Sequence, residues 1–363
     1  MVRLSRAQSQ ERNRARVLAA AREEFAERGF AQAKVDAIAE RAGLTRGAVY
    51  SNFTGKRALY FTVLAEDAER AEAAAPAEPG ATPHAALGAL ARAWLARLPL
   101  ATGDRGAAAR LSADLVPEVL VDDRVARPYA QLTKVSAVLL GLALERLDPS
   151  TAPGARLVRV AESALTVLHG AGRLAWAAPG FVEPFNVVAA CERMAEMDLG
   201  DRWTGPPIVP PARPADDPWS PPPVLDLLTG ETARPGGEGV VAVLGLHRLS
   251  ALEDAVRAAP PGAEVTVAAV TGEPAELAPL VRLALAELRG CLRQAVPASA
   301  WPRVRIVCDA SGTLAAAAGV PAVSDATETA VRLRGGRVTA RAEGYGAGHA
   351  AAAGAAEPTD RAG

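Results

Sequence analysis

The stretch KVDAIAERAGLTRGAVYSNF (34–53) decides how the N-terminal part of the chain is read. Its apolar positions predict two short helices, one from Val35 to about Arg41 and one from Thr45 to about Phe53. Ala39 falls where the helices would cross, and a small side chain there lets them approach. Gly43 follows four residues later, where a tight turn favours a left-handed residue. Val49, six residues further on, would pack beneath the second helix, and Ile38, Leu44 and Phe53 would complete the small core. Thr45 offers a hydroxyl as N-cap. The outcome is a helix-turn-helix whose second helix fits the major groove of duplex DNA.

The flanks support this reading. Val17, Leu18, Ala21 and Phe25 recur at helical spacing within about 10–28, and Gly29 reads as a C-cap. From Lys56 a longer helix runs to about Ala75, where Pro76, Pro79, Gly80 and Pro83 stop it. The whole chain of 363 residues is nearly neutral, with 40 Lys plus Arg against 41 Asp plus Glu. Residues 1–57, however, carry 12 basic against 6 acidic side chains, the asymmetry expected of a phosphate-facing surface. Lys34, Thr45, Tyr50, Lys56 and Arg57 suit phosphates. Arg46, Gly47, Ala48, Ser51 and Asn52 are placed to face bases or backbone.

Residues of about 10–60 resemble the N-terminal domain of TetR-family regulators, with GLTRGAVYSNF (43–53) and the following Lys56 similar to that family's signature at nearly every place. The resemblance implies a homodimer on a palindromic operator and a helical region that binds a small effector and shares a four-helix dimer interface, supplied here by the last helices of about 156–199. It also implies phosphate contacts by Thr45, Tyr50 and Lys56, and a groove face of Arg46, Gly47, Ala48, Ser51 and Asn52. One departure concerns Lys34: the family usually places Ser or Thr there as a cap, and a lysine cannot accept a backbone N–H.

The rest of the chain predicts a multidomain protein: all-α TetR-like N-terminal and middle domains, then an α/β thioredoxin-like domain. The expected boundaries are 1–60 for the DNA-binding domain, 61–202 for a helical effector-binding and dimerisation domain, and 203–238 for a proline-rich linker. A thioredoxin-like domain follows over 239–345 and a disordered tail over 346–363. In the middle domain Trp94, Tyr129, His169 and Trp176 are candidate effector contacts, although any one of them taken singly reads first as a core aromatic. In the C-terminal part, the runs at 240–246, 264–271 and 303–309 and a hairpin at Gly335-Gly336 give the order β-α-β-α-β-α-β-β. RIVCDASGTLAAAAGV and TAVRLRGGRVTARAEG resemble the second half of peroxiredoxin-type domains. No cysteine stands after the first strand, in LGLHRLSAL (244–252), so a binding or dimer-supporting unit is expected there. The linker composition predicts that this unit folds separately.

Cys191, Cys291 and Cys308 are too sparse for a disulfide framework. His84, His169, His247 and His349 are scattered, and no cofactor or metal is expected. No apolar run reaches membrane-spanning length, and the N-terminus does not read as a signal peptide, which predicts a cytoplasmic protein. These features predict a non-enzymatic transcriptional regulator, a repressor released by an unknown small-molecule effector. The alternative is a thiol-based redox sensor or an oxidoreductase fused to a DNA-binding head.

Overall fold

The computed structural model describes residues 5–71, 78–100, 111, 115, 122–148 and 154–353. The chain opens with α1 (Arg6–Gln32), α2 (Val35–Arg41), α3 (Arg46–Tyr50) and α4 (Lys56–Ala71). Ser5 and Gln8 form a reciprocal capping box at the start of α1, which satisfies two otherwise orphan amides. Gly29, at φ 72°, kinks α1 instead of ending it. Phe25, Ile38, Val49, Phe53, Leu59 and Tyr60 form the core of this head, all at most 6% exposed. Phe25 meets Tyr60 edge-on, with ring centroids 5.2 Å apart.

The helical middle part follows as α5 (Pro83–Leu95), α6 (Asp123–Leu147), α7 (Val158–Ala177) and α8 (Pro184–Met194). Leu87, Leu90, Leu132, Leu139, Leu165 and Leu168 are buried between these helices. Phe185 points outward and is 83% exposed.

The C-terminal part is a mixed six-stranded sheet. Its elements are β1 (Arg213–Pro218), the two-residue strands β2 (Val224–Leu225) and β3 (Thr232–Ala233), which pair with each other in a separate ladder, and β4 (Gly239–Gly245). Then come α9 (Leu252–Ala258), β5 (Glu264–Val270), α10 (Pro274–Ala295), β6 (Val304–Cys308) and α11 (Thr313–Ala317). The hairpin β7 (Glu328–Arg334) and β8 (Arg337–Glu343) precedes α12 (Ala347–Ala353). The sheet order is β1-β8-β7-β4-β5-β6. β4, β5 and β6 are parallel, and β7 returns antiparallel to β4. Every residue of β4 is buried, as expected for a strand covered on both faces. Alternate residues serve two cores: Val240, Ala242 and Leu244 join the large core that continues into the helical part, and Val241 and Val243 pack with Leu314, Ala315 and Trp219.

Three expectations are corrected. The proline-dense stretch is no free linker, because β1 pairs antiparallel with β8 along the sheet edge. An edge strand tolerates proline, since one side of its backbone needs no ladder partner. Trp219 Nε1 donates to Pro235 O at 2.7 Å, and buried Asp226 accepts the amides of Leu228 and Ile306 at 3.0 Å each. These bonds pin the stretch to the sheet. The expected tail begins with α12, whose small residues Ala347, Gly348, Ala350, Ala351 and Ala352 are buried. Residues 354–363 of that tail lie outside the described residues.

The third correction concerns independence. α10 belongs to the sheet unit yet packs along α4, and it also meets α5 and α6. Leu277, Leu280, Val281, Leu283, Leu285 and Leu288 are buried along its length. Arg257 of α9 makes a bidentate pair with Glu145 of α6 at 2.8 and 3.1 Å. The helical part and the sheet unit therefore share one apolar core.

Candidate nucleic-acid interface

α2 and α3 are held from beneath. Arg41 reaches from the end of α2 to Glu23, Glu24 and Glu27 of α1 at 2.7 to 3.3 Å. Glu24 is only 1% exposed, and a second cation, Arg28 at 3.2 Å, also neutralises it. Gly43 takes φ +61°, a conformation that side chains with a Cβ rarely adopt, and its carbonyl accepts from Arg16 Nη2 at 3.3 Å. The turn thus fixes α3 against α2 and α1.

Thr45 caps α3, its Oγ1 accepting from Ala48 N at 3.2 Å. Lys34 caps α2 by backbone alone, with no side-chain hydrogen bond, so its ammonium is left exposed on the outer face. Val49 turns inward at 2% exposure, whereas Tyr50 is 44% exposed. Arg46 and Gly47 are also exposed. Arg46 lies over the Tyr50 ring at 5.5 Å and pairs with Asp36 at 3.4 Å. Ser51 Oγ and Asn52 Nδ2 both donate to Ala48 O, at 2.9 and 2.8 Å, closing the end of this short helix. A Cβ placed on Gly47 would meet only Thr45 Oγ1, at 3.9 Å. Nothing inside the protein requires glycine there, whereas close approach of another molecule would.

Lys56 departs from expectation. Its Nζ donates to the carbonyls of Phe30, Ala31 and Ala33 at 2.9, 3.4 and 3.2 Å, and sits 4.4 Å from the Phe30 ring. Three donors meet three carbonyls at the end of α1, so in this arrangement Lys56 closes that helix instead of presenting a charge to phosphate. Arg57 is likewise internal, paired with Asp122 at 3.0 Å and with Glu276 of α10.

The sequence of this region is similar to that of known regulators. Residues 17–63 match the family described as bacterial regulatory proteins, tetR family. These residues form a TetR-family DNA-binding domain. The chain is similar to the HTH-type transcriptional regulator SrpR of Pseudomonas putida, 45% identical over 65 residues, covering 18% of this chain and 30% of that protein. It is also similar to the HTH-type transcriptional repressor Rv1474c of Mycobacterium tuberculosis, 40% identical over 65 residues and 35% of that protein. The chain thus spans about a third of the length of each of these two relatives. A TetR transcriptional regulator from Rhodococcus sp. RHA1 aligns with 52% of this chain and 95% of its own, at 18% identity and TM-score 0.34. The TetR domain occupies the first fifth of the chain, and α5 onward lies beyond the matched residues.

The candidate effector residues fall in the helical part. Trp94 of α5 and His169 of α7 meet with ring centroids 4.8 Å apart. His169 Nδ1 lies 2.7 Å from Leu165 O, and burial lowers its pKa. Arg97 lies 5.3 Å over Trp94 and reaches Cys291 Sγ of α10 at 3.5 Å. Desolvation pushes the carboxyl of neighbouring Glu287 upward, against the pull of Arg97. Tyr129 is pushed up to about 12 by burial and by Glu287. Trp176 stands two helical turns beyond His169 on α7. The sequence reading missed Arg97 and Glu287 and gave Cys291 no partner. Their signal was a carboxylate inside the apolar run LALAELRG (283–290).

Among the described residues no group of three His, Cys, Asp or Glu is arranged to hold a metal ion. No described helix is long and apolar enough to cross a membrane.

Proposed function

We propose that this chain is a sequence-specific transcriptional regulator that acts as a homodimer on a palindromic operator, a repressor released by a small effector. The observation that carries the reading is the outer face of α3: Val49 is buried beneath it, while Arg46, Gly47 and Tyr50 stand exposed above a capped N-terminus. Lys34, Thr45 and Tyr50 serve as phosphate contacts in this reading, and Arg46, Gly47, Ala48, Ser51 and Asn52 approach bases or backbone. The repressor assignment is supported by the Mycobacterium tuberculosis relative, itself a transcriptional repressor by name. Dimerisation through α7 and α8 is supported by the exposed Leu174, Phe181 and Phe185, at 40%, 70% and 83%, an apolar surface suited to a second copy.

Ala48→Gln tests the register of α3. A long side chain at that position is expected to change the consensus recovered from random duplexes while non-specific affinity holds. Recovery of the wild-type consensus would show that Ala48 does not face the bases.

In this reading Trp94, Tyr129, His169 and Trp176 contact the effector, with Arg97 and Glu287 beside the first three. Such aromatic contacts suit a small molecule with an aromatic or apolar body. The sheet unit is read as a non-enzymatic, thioredoxin-like module, on the strength of the β8-β7-β4-β5 order and the flanking α9 and α12. Thiol chemistry is disfavoured. Burial pushes Cys308 up to about 12 and Cys191 up to about 11, and raises Cys291 as well. Thiolate is therefore scarce near neutral pH. Mild peroxide is expected to leave operator binding unchanged in a gel-shift assay. Release that disappears in Cys291→Ser or Cys308→Ser would reinstate a redox sensor.

A further inference from the structure

We propose that α10 of the sheet unit sets the pose of the DNA-reading head, and thereby the operator spacing the dimer accepts, by gripping α4 at both ends. The inference rests on the reading of this chain as a dimeric DNA-binding protein.

α4 leads directly from the head into the helical part, so its orientation carries α3 with it. α10 packs along α4 more extensively than any other pair of described elements pack together. Two ion pairs fix the crossing. In the first turn of α4, Arg57 pairs with Glu276 of α10 and, at 3.0 Å, with Asp122 at the start of α6. Near the other end, Glu69 takes a bidentate pair from Arg282 at 2.8 and 3.0 Å. Residues 57 and 69 lie about 18 Å apart along a helix, so α4 is held at two separated points. All of these side chains are between 19% and 34% exposed, which limits screening by solvent.

The sheet unit does not grip α3 itself. A cleft of about 690 Å³ separates Tyr50, Phe53 and Thr54 from Leu225, Ala275 and Ser311. The head is thus held through α4 and has open space beside α3. The far end of α10 bears Cys291, bonded to Arg97, and Glu287. One continuous helix therefore joins the polar cluster of the helical part to both grips on α4. In a dimer, the pose of each head fixes the separation of the two reading helices, which must match half-sites about one helical turn, or roughly 34 Å, apart. Glu276 and Arg282 are positioning residues in this scheme. They touch no DNA and act by narrowing the poses available to α4.

The test is selection by the full-length protein from duplexes that carry random half-sites with variable spacers. The wild type is expected to enrich one half-site consensus at one spacer length. Glu276→Gln with Arg282→Gln is expected to keep that half-site consensus but to accept neighbouring spacers, and to bind the wild-type operator about three- to tenfold more weakly. Arg337→Gln removes a surface pair with Asp216 elsewhere on the sheet unit and is expected to behave as wild type. The exchanged pair Glu69→Arg with Arg282→Glu rebuilds one grip with reversed polarity and is expected to restore the single spacer that Arg282→Gln alone loses. An unchanged single spacer in the double variant, with its thermal unfolding still cooperative, would overturn the inference and leave α10 a structural support. If the double variant fails to fold, the comparison of Arg282→Gln with the exchanged pair decides in the same way. Absence of any consensus in the wild type would overturn the DNA-binding reading itself.

Discussion

Truncation after Trp203 is expected to destroy the folded protein. The cut removes α10, and with it Leu277, Leu280, Val281, Leu283 and other buried side chains that lie between the sheet and the helical part. Burial of one such side chain is worth roughly 1.5–3 kcal/mol. Loss of even a few rivals the 5–15 kcal/mol that typically separates folded from unfolded domains. The cut also strands charged groups. Arg57 loses Glu276, Glu69 loses Arg282, and Glu145 loses Arg257. The truncated chain is expected to be insoluble or to unfold without a cooperative transition, as read by scanning calorimetry and sedimentation. A soluble, dimeric fragment that binds operator with full affinity would show that the shared core is dispensable.

The second large effect concerns Lys56. Lys56→Ala removes three charge-assisted bonds to the last carbonyls of α1 and a cation over Phe30. The helix ends at Gln32, so those carbonyls have no following turn to pair with, and the loss is expected to destabilise the head by about 2 kcal/mol. Operator affinity is expected to fall through that loss of order, while the slope of log K against log salt stays as in wild type. A phosphate contact would behave differently, lowering the slope by about one unit. Urea unfolding and salt titration of the same variant separate the two roles.

Much of the head was legible because its signals are local. The helical period places α2 at Val35–Arg41, Gly43 needs the left-handed region, and Thr45 stands where a cap hydroxyl is wanted. The strands β4, β5 and β6 were legible as short apolar runs, and Gly335 and Gly336 both take the positive φ that a two-residue hairpin turn requires. What escaped reading was tertiary. Lys56 finds its partners 23 to 26 residues earlier in the chain, and no spacing rule announces them. β1 was hidden because proline density argues against strands in general but not against an edge strand. It is fastened there by Arg337 to Asp216 and by Arg341 to Asp217. α12 was hidden because an Ala- and Gly-rich segment looks structureless until a sheet offers it a surface. The docking of α10 did leave a trace. Leu277, Leu280, Val281, Leu283, Leu285 and Leu288 spread over about 200° of the helix circumference, wider than a single stripe. Such a helix is covered on more than one side, which argues against a separately folding unit.

The exposed face of α2 and α3 is expected to read DNA sequence. This is tested most directly by selecting random duplex DNA on the full-length protein and measuring affinity for the recovered site against scrambled DNA over a range of salt. The expected result is an inverted repeat bound at least a thousandfold more tightly than scrambled sequence, with affinity falling steeply as salt rises. Enrichment of no sequence, or equal affinity for recovered and scrambled duplexes, would contradict it.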